Sequence, residues 1–574
     1  MGPGEGMATI APEPILKGMV SRLRPRYLPE DAAPLLQHTD LTDPTAPARR
    51  GGWALQSMTG ATASKRFADA INFYPTSSNK YVYATQNGGK TLRNTDSTFA
   101  AWTEILDAAT GLVSLDALTD DALFLAILDG AYLFRGSSAV AMITPSTDRY
   151  ALDTNINTSP PRNVVSVCFA AERAWALASD GYLYYSTVKP TAATFDTNWD
   201  RTNTTAGTGA GRFQMSPHKG GKPVAVVPWK DDYILVFYDR YIELLIVDVN
   251  WSDLSNSSRL IVEPRYGCIA HRSVVPIGQQ VFFLDQYGEY RTLAETINGQ
   301  ITGTTPLPIS EGIKDQLPDS LNKSVLTKAH AVAFEDKIYL HVPAQADAVS
   351  TTEATYQAIY DTGRGVWTSW GQLAVSSGVL FTSQLRSGAQ GEELWMTDGG
   401  NGSVAPYAKQ PNLYRMTPAT FADANQAGTL AAISWAVETR AWDGGYPEND
   451  KILDTVEVEF TGDTGTRVYV DVMQDESGVW EGLDPTVLIA GSTDDGYPIV
   501  YANGDIVYPL GPTNLGATRK AFSAGPQLNN HGRARTHRFR FRSDGQQTAV
   551  ALARWFATLR ILPIERRTHS NFNG

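Results

Sequence analysis

Arg173-Ala-Trp-Ala-Leu-Ala-Ser-Asp-Gly-Tyr-Leu-Tyr-Tyr-Ser186 is the stretch that decides the fold. An apolar run meets Asp180-Gly181, a dipeptide that tolerates the positive φ of a tight hairpin turn, and an aromatic run comes straight back. Gln279-Gln-Val-Phe-Phe-Leu-Asp-Gln-Tyr-Gly-Glu-Tyr-Arg-Thr-Leu293 repeats the design. Further units run over Lys80–Leu92, Ala122–Gly136, Asp232–Val247, Lys337–Asp361 and Glu393–Tyr407, with Asn87-Gly88 and Asp129-Gly130 as turns. Their starts lie roughly 40 to 60 residues apart, and a four-stranded propeller blade takes about 40–50. One hairpin cannot bury a core alone, so the units must stack. The expectation is an all-β chain built on a β-propeller of six or seven blades, each hairpin forming the inner half of a blade.

Working outward, residues 1–57 read as an extended N-terminal arm. Its prolines forbid a continuous helix and leave room only for a short one near Pro14–Leu23. Arg22, Arg24 and Arg26 put three cations on it, next to Tyr27. The propeller is expected over residues 58–420. Beyond it the period changes: Thr455–Phe460, Thr466–Val472 and His537–Arg542 alternate apolar and polar residues, the mark of strands with one packed and one wet face. Residues 421–574 are therefore expected to form an antiparallel, sandwich-like β domain. The Ala- and Leu-rich segment from Ala551 to Ile564 is read as beginning with a helical turn or two and ending as a strand.

The 574 residues include 19% charged and 42% hydrophobic side chains and carry a net charge of −12, the composition of a packed globular protein with no general affinity for phosphate backbones. The charge is uneven. His531–Gly574 holds nine arginines against Asp544 and Glu565. The arginines Arg533, Arg535, Arg538, Arg540 and Arg542, with Arg22, Arg24, Arg26 and Tyr27, are candidate assembly-interface residues; the plainer reading of such a run is a solvated strand face. Cys168 and Cys268 sit in apolar strand contexts and read as buried free thiols of a reducing compartment. No signal peptide and no membrane-spanning run is expected.

Catalytic and metal signatures are missing from the sequence. The eight histidines are scattered without metal-ligand spacing. No nucleotide-binding or nucleophile motif is present. Asp231-Asp232, Asp475-Glu476 and Asp494-Asp495 are adjacent acids that read as loop solvation rather than as the separated carboxylate pair of a glycosidase. Asn87-Gly-Gly-Lys-Thr-Leu92 resembles a degenerate Asp-box turn, itself structural. Trp367 and Trp370 read as packing between blades, with sugar stacking as the alternative. The expectation is no enzyme, no cofactor and no metal.

Several of these segments resemble the propeller core of phage tail hub and nozzle proteins, the group that includes tail stabilisation proteins and tail tubular protein B of short-tailed phages. The matching elements are Gly267-Cys-Ile-Ala270 ahead of Ser273, Val281–Leu284 with Tyr287-Gly288, Ile309–Ile313, and Tyr360-Asp361 followed by Trp367. Arg24-Pro-Arg-Tyr-Leu-Pro and Ala48-Arg-Arg-Gly-Gly-Trp53 resemble that group's arm. The resemblance covers about residues 20–410 and carries no catalytic residue. It implies a homo-oligomeric ring, commonly a hexamer, in a virion tail assembled in the host cytoplasm. Its implied partners are other copies of itself, a portal or adaptor ring, tail fibres or spikes, and genomic DNA passing without sequence-specific contacts. The alternatives are a carbohydrate-binding or glycan-degrading propeller and a peptide-binding scaffold.

Overall fold

The computed structural model describes residues 6–10, 14–56, 58, 60–74, 80–95, 101–108, 111, 115, 122–145, 149–152, 160–202, 208–215, 220–230, 233–247, 257–295, 301–302, 308–317, 321–343, 355–375, 377–383, 392–399, 410–418, 420–425, 427–463, 466–488, 499–500, 506–507, 515–524, 527–544 and 548–562. Regular structure among them is β-strand with a few 3-10 turns. The strands form a β-propeller. Blade 1 starts with Phe67–Phe73, blade 2 with Ala122–Ala126, blade 3 with Val164–Ala170 and blade 4 with Pro223–Trp229. Blade 5 starts with Val275–Ile277, blade 6 with His330–Phe334 and blade 7 with Ser377–Ser383. Six of these are sheets of their own; blade 6 is the first four strands of a nine-stranded sheet. The innermost strands touch in cyclic order and blade 7 returns to blade 1, so the ring is closed.

The closing strand comes from the far end of the chain. Gly52–Gln56 pairs antiparallel with Leu413–Thr417 and is the outermost strand of blade 7. Gly52 is required there, because a Cβ would stand 2.0 Å from the Ala422 carbonyl oxygen. The Arg50 guanidinium, buried beside it, donates to both Asp423 carboxylate oxygens at 3.1 and 2.7 Å. Asp423 Oδ1 also accepts from the Trp53 backbone N–H at 3.1 Å.

The quoted hairpins sit one strand further out than expected. Arg173–Ala178 and Tyr182–Tyr185 are the second and third strands of blade 3, and blades 1, 4, 5 and 6 follow suit; only the Ala122–Gly136 unit is an inner pair. Second strands are paired on both sides and covered on both faces, so Arg173–Ala178 is buried throughout and reads as a continuous apolar run. The innermost Val164–Ala170 alternates buried and half-buried positions and gives a weaker signal. The return of the Glu393–Tyr407 unit lies outside the described residues, and blade 7's third strand is Leu413–Thr417.

Separate hydrophobic clusters fill the seams between neighbouring blades. Trp199 and Phe134 lie between blades 2 and 3, and Trp175 and Val236 between blades 3 and 4. Cys268 and Phe283 lie between blades 4 and 5. The seam between blades 5 and 6 is different, because its core runs on without a break into the arm and the C-terminal domain. Trp367 and Trp370 belong to that core, 3% and 4% exposed, with Trp370 stacked on Tyr356 at 5.0 Å. Both rings are thereby removed from any sugar-stacking surface.

The C-terminal domain packs two sheets face to face. One contains Lys451–Asp463, Leu515–Ser523 and Val550–Ile561, joined by Gly6–Ile10 from the chain start. The other contains Trp435–Glu438, His537–Ser543, Arg467–Gln474 and Glu481–Leu488. Phe539 and Phe541 meet Trp555 across the gap at 4.8 and 5.7 Å. Val550–Ile561 is a strand from its first residue, where a helical turn was expected; pairing along Lys451–Asp463 overrides its local Ala and Leu preference. Propeller and sandwich share one sheet, because Leu35–Gln37 of the arm pairs with blade 6 at Gln37–Trp370 and with Trp435–Glu438 on its other side. The short helix expected near Pro14–Leu23 is not formed. Gly18 takes a positive φ of 61° against the Trp367 carbonyl, and Met19 makes a single bridge to Ala33.

Candidate functional site

The basic residues singled out in the sequence fall into three places. Arg22 pairs with Glu311 of the link between blades 5 and 6, where the Gly312 carbonyl accepts from the Ser21 and Arg22 N–H groups at 2.9 and 3.1 Å. Arg538, Arg540 and Arg542 alternate with Phe539 and Phe541, so all three leave the sandwich core on one face. They meet carboxylates of the same chain there: Arg538 on Glu438, Arg540 on Asp471 at 2.8 Å, and Arg542 on Asp471 at 2.8 Å and on Asp544. Trp480 lies under the Arg538 and Arg540 guanidinium groups at 5.2 and 4.5 Å. This stripe is a neutralised network and not a bare basic surface.

The third place joins segments that lie far apart in sequence. The turn at Asp475-Glu476 accepts Arg26 from the arm at 3.0 Å and the Arg535 backbone N–H at 2.7 Å. Burial, the largest single effect, pushes the Glu476 carboxyl up, but the Arg26 hydrogen bonds and charge together with the charge of Arg24 hold it below the ordinary value. Tyr27 is 67% exposed beside the Arg26 guanidinium. Arg533 and Arg535 share Asp450 at 3.0 and 3.6 Å. Arg24, Tyr27 and the Arg535 side chain form the outward part of this patch. Of the paired acids, Asp475 and Glu476 are thus bound into the arm contact, while Asp231-Asp232 and Asp494-Asp495 lie outside the described residues.

The fold also assembles a site that the sequence reading did not find. At the face where the innermost strands begin, the propeller axis opens into a cavity of about 810 Å³. Arg66, Lys222, Arg272 and Lys328 line it, with Asp239 as the one carboxylate among the described lining residues. His271, His330 and His341 line it too. His330 and His341 are cross-strand partners in blade 6, and His271 starts the 3-10 turn before blade 5. From that turn Arg272 crosses the axis to Asp69 of blade 1 at 3.1 Å and donates to the Ala122 carbonyl of blade 2 at 3.4 Å.

Burial keeps these imidazoles neutral. His271 and His341 are held down to about 3, His271 by burial and then Arg272, His341 by burial and then Arg50. His330 lies well below the ordinary value for the same first reason. His341 Nδ1 meets Ser377 Oγ at 2.7 Å, but His341 Nε2, His330 Nδ1 and His271 Nε2 have no protein partner. The signal was faint: each histidine sits close to the start of an innermost strand or on the strand beside it, a position recognisable only once the blades are in register. No group of three His, Cys, Asp or Glu among the described residues is placed to hold a metal ion. Cys168 and Cys268 are buried free thiols, the latter pushed up to about 12 by burial.

No family model matches the chain, and no curated protein matches it. The solved structures similar to it are distant propellers. One of U3-55K is 7% identical, covers 63% of this chain and 98% of its own, and has a TM-score of 0.36. YCF48 bound to D1 peptide is 7% identical over 64% of this chain and 95% of its own, with a TM-score of 0.35. The WD40 repeats of RRP9 are 7% identical over 64% and 99%, with a TM-score of 0.36. Likeness of this size carries no argument about family or function.

Proposed function

We propose that this chain is a non-enzymatic structural subunit of a phage tail, a hub or nozzle protein that assembles into a homo-oligomeric ring. The ring encloses the path of genomic DNA, docks to a portal or adaptor ring and carries fibres or spikes. The observation that carries this reading is where the family-like residues meet. Ile309–Ile313, Tyr360 and Trp367 converge with the arm: Trp367 Nε1 donates to the Ile309 carbonyl at 2.9 Å, Tyr290 N–H donates to Ser310 Oγ at 3.0 Å, and the Met19 N–H donates to the Trp367 carbonyl at 2.8 Å. These residues build the joint that locks arm, propeller and sandwich into one body, which is what a load-transmitting ring subunit requires.

The patch of Arg24, Tyr27 and Arg535 is the proposed subunit contact. The Arg538–Arg542 stripe is already satisfied within the chain and takes a lesser part. Electron microscopy of the purified protein and of particles containing it tests the reading. Rings are expected, and Arg24→Glu with Tyr27→Ala should yield folded monomers with an unchanged melting temperature. A wild-type protein that stays monomeric at high concentration and never enters a particle overturns it.

A further inference from the structure

Arg272 joins parts of the propeller that share no seam. Its backbone lies in the 3-10 turn His271–Ser273 ahead of blade 5, and its guanidinium meets Asp69 of blade 1 at 3.1 Å and the Ala122 carbonyl of blade 2 at 3.4 Å. Blades 6 and 7 stand between blades 5 and 1 on the shorter way round. Both ends of the contact are fixed. The fully buried Ser273 donates from Oγ to the Ala270 carbonyl at 2.7 Å and accepts the Leu284 N–H at 3.1 Å, which ties the turn to the second strand of blade 5. At the far end the Asp69 carboxylate accepts the Ala70 N–H at 2.9 Å and the Phe124 N–H at 2.7 Å, and Phe124 lies on the innermost strand of blade 2.

The Arg272 and Asp69 side chains are 18% and 12% exposed, so solvent and salt screen the pair little, and taking away one partner leaves the other an uncompensated charge inside the ring of blades. The strand closure of the same ring works elsewhere: it seats Gly52–Gln56 on Leu413–Thr417 in blade 7 and involves none of blades 1, 2 and 5. We propose that Arg272 is a transaxial strap, a second closure that holds blades 1, 2 and 5 at a fixed spacing whether or not blade 7 is shut. The strap lies within one chain and is independent of the tail assignment.

Residue-resolved hydrogen exchange on the full chain tests it, in Trp53→Ala and in Trp53→Ala with Arg272→Met. Trp53→Ala loosens blade 7 and leaves the strap in place. Adding Arg272→Met should speed exchange in the innermost strands Phe67–Phe73 and Ala122–Ala126 by about tenfold or more, because the opening of blade 7 then spreads around the ring. Equal exchange of these two strands in both variants overturns the proposal. Where Trp53→Ala does not fold, Arg272→Met and Asp69→Asn, each alone, decide. Asn at position 69 keeps an acceptor for the Phe124 N–H and removes only the charge that Arg272 answers. Each variant should speed exchange of the Phe124 amide about tenfold and leave Tyr233–Tyr238 of blade 4 as in the wild type. An unchanged Phe124 amide, or a rise of equal size in blade 4, overturns the strap.

Discussion

Asp423 is 5% exposed and carries both the Arg50 guanidinium and the Trp53 N–H. Removing it strands a buried cation, so Asp423→Ala should cost about 3–5 kcal/mol, read from urea unfolding midpoints, and Arg50→Met in the same chain should restore part of the loss. The buried histidines set an acid limit. His271 and His341 are depressed from 6.5 to about 3, so the folded state disfavours their protonation. Their stabilising contribution is whole above pH 6.5 and is lost as pH falls toward 3. The unfolding midpoint should fall over that window, and His341→Gln should flatten the decline; a midpoint independent of pH there would contradict the burial. Little of this was legible in the sequence. His330 and His341 are eleven positions apart and His271 is distant, and only cross-strand register brings them to one wall. Buried ion pairs such as Arg50–Asp423 are equally silent, since each partner alone reads as a surface residue.

At the level of elements, legibility followed burial. Strands buried on both faces announced themselves as apolar runs, and the sandwich strand His537–Ser543 was visible through its strict alternation. Two elements misled for one physical reason: their conformation is set by partners remote in sequence. Val550–Ile561 carries helix-favouring residues, yet it pairs along most of Lys451–Asp463. Gly52–Gln56 fell within the expected extended arm, and it is the outermost strand of blade 7. That strand is held by Trp53, 1% exposed, whose Nε1 donates to Gln357 at 3.2 Å in blade 6. Trp53→Ala should cost about 3–5 kcal/mol and raise hydrogen exchange first in Leu413–Thr417. A uniform loss of protection across all blades would show that blade 7 does not open on its own.

For the whole molecule, one core spans the seam between blades 5 and 6, the arm and the sandwich, so these parts are not free to unfold separately. Calorimetry should give a single transition for sandwich and propeller, and two well-resolved transitions would refute the shared core. Removing residues 1–57 should abolish stable folding, because it takes away both the outer strand of blade 7 and the strand between blade 6 and Trp435–Glu438. The hairpin repeat made the propeller legible; the fusion was not, since its connecting strand, Leu35–Gln37, is three residues long. The origin of the closing strand also fixes an order of events during synthesis. Gly52–Gln56 leaves the ribosome early, and its partner Leu413–Thr417 follows about 360 residues later. At about 5–20 residues per second, that is a wait of roughly 20–70 s during which Trp53 has no blade to join. The earliest strand of the ring is the last to be seated, so a chain released before Leu413–Thr417 has been made cannot close its ring.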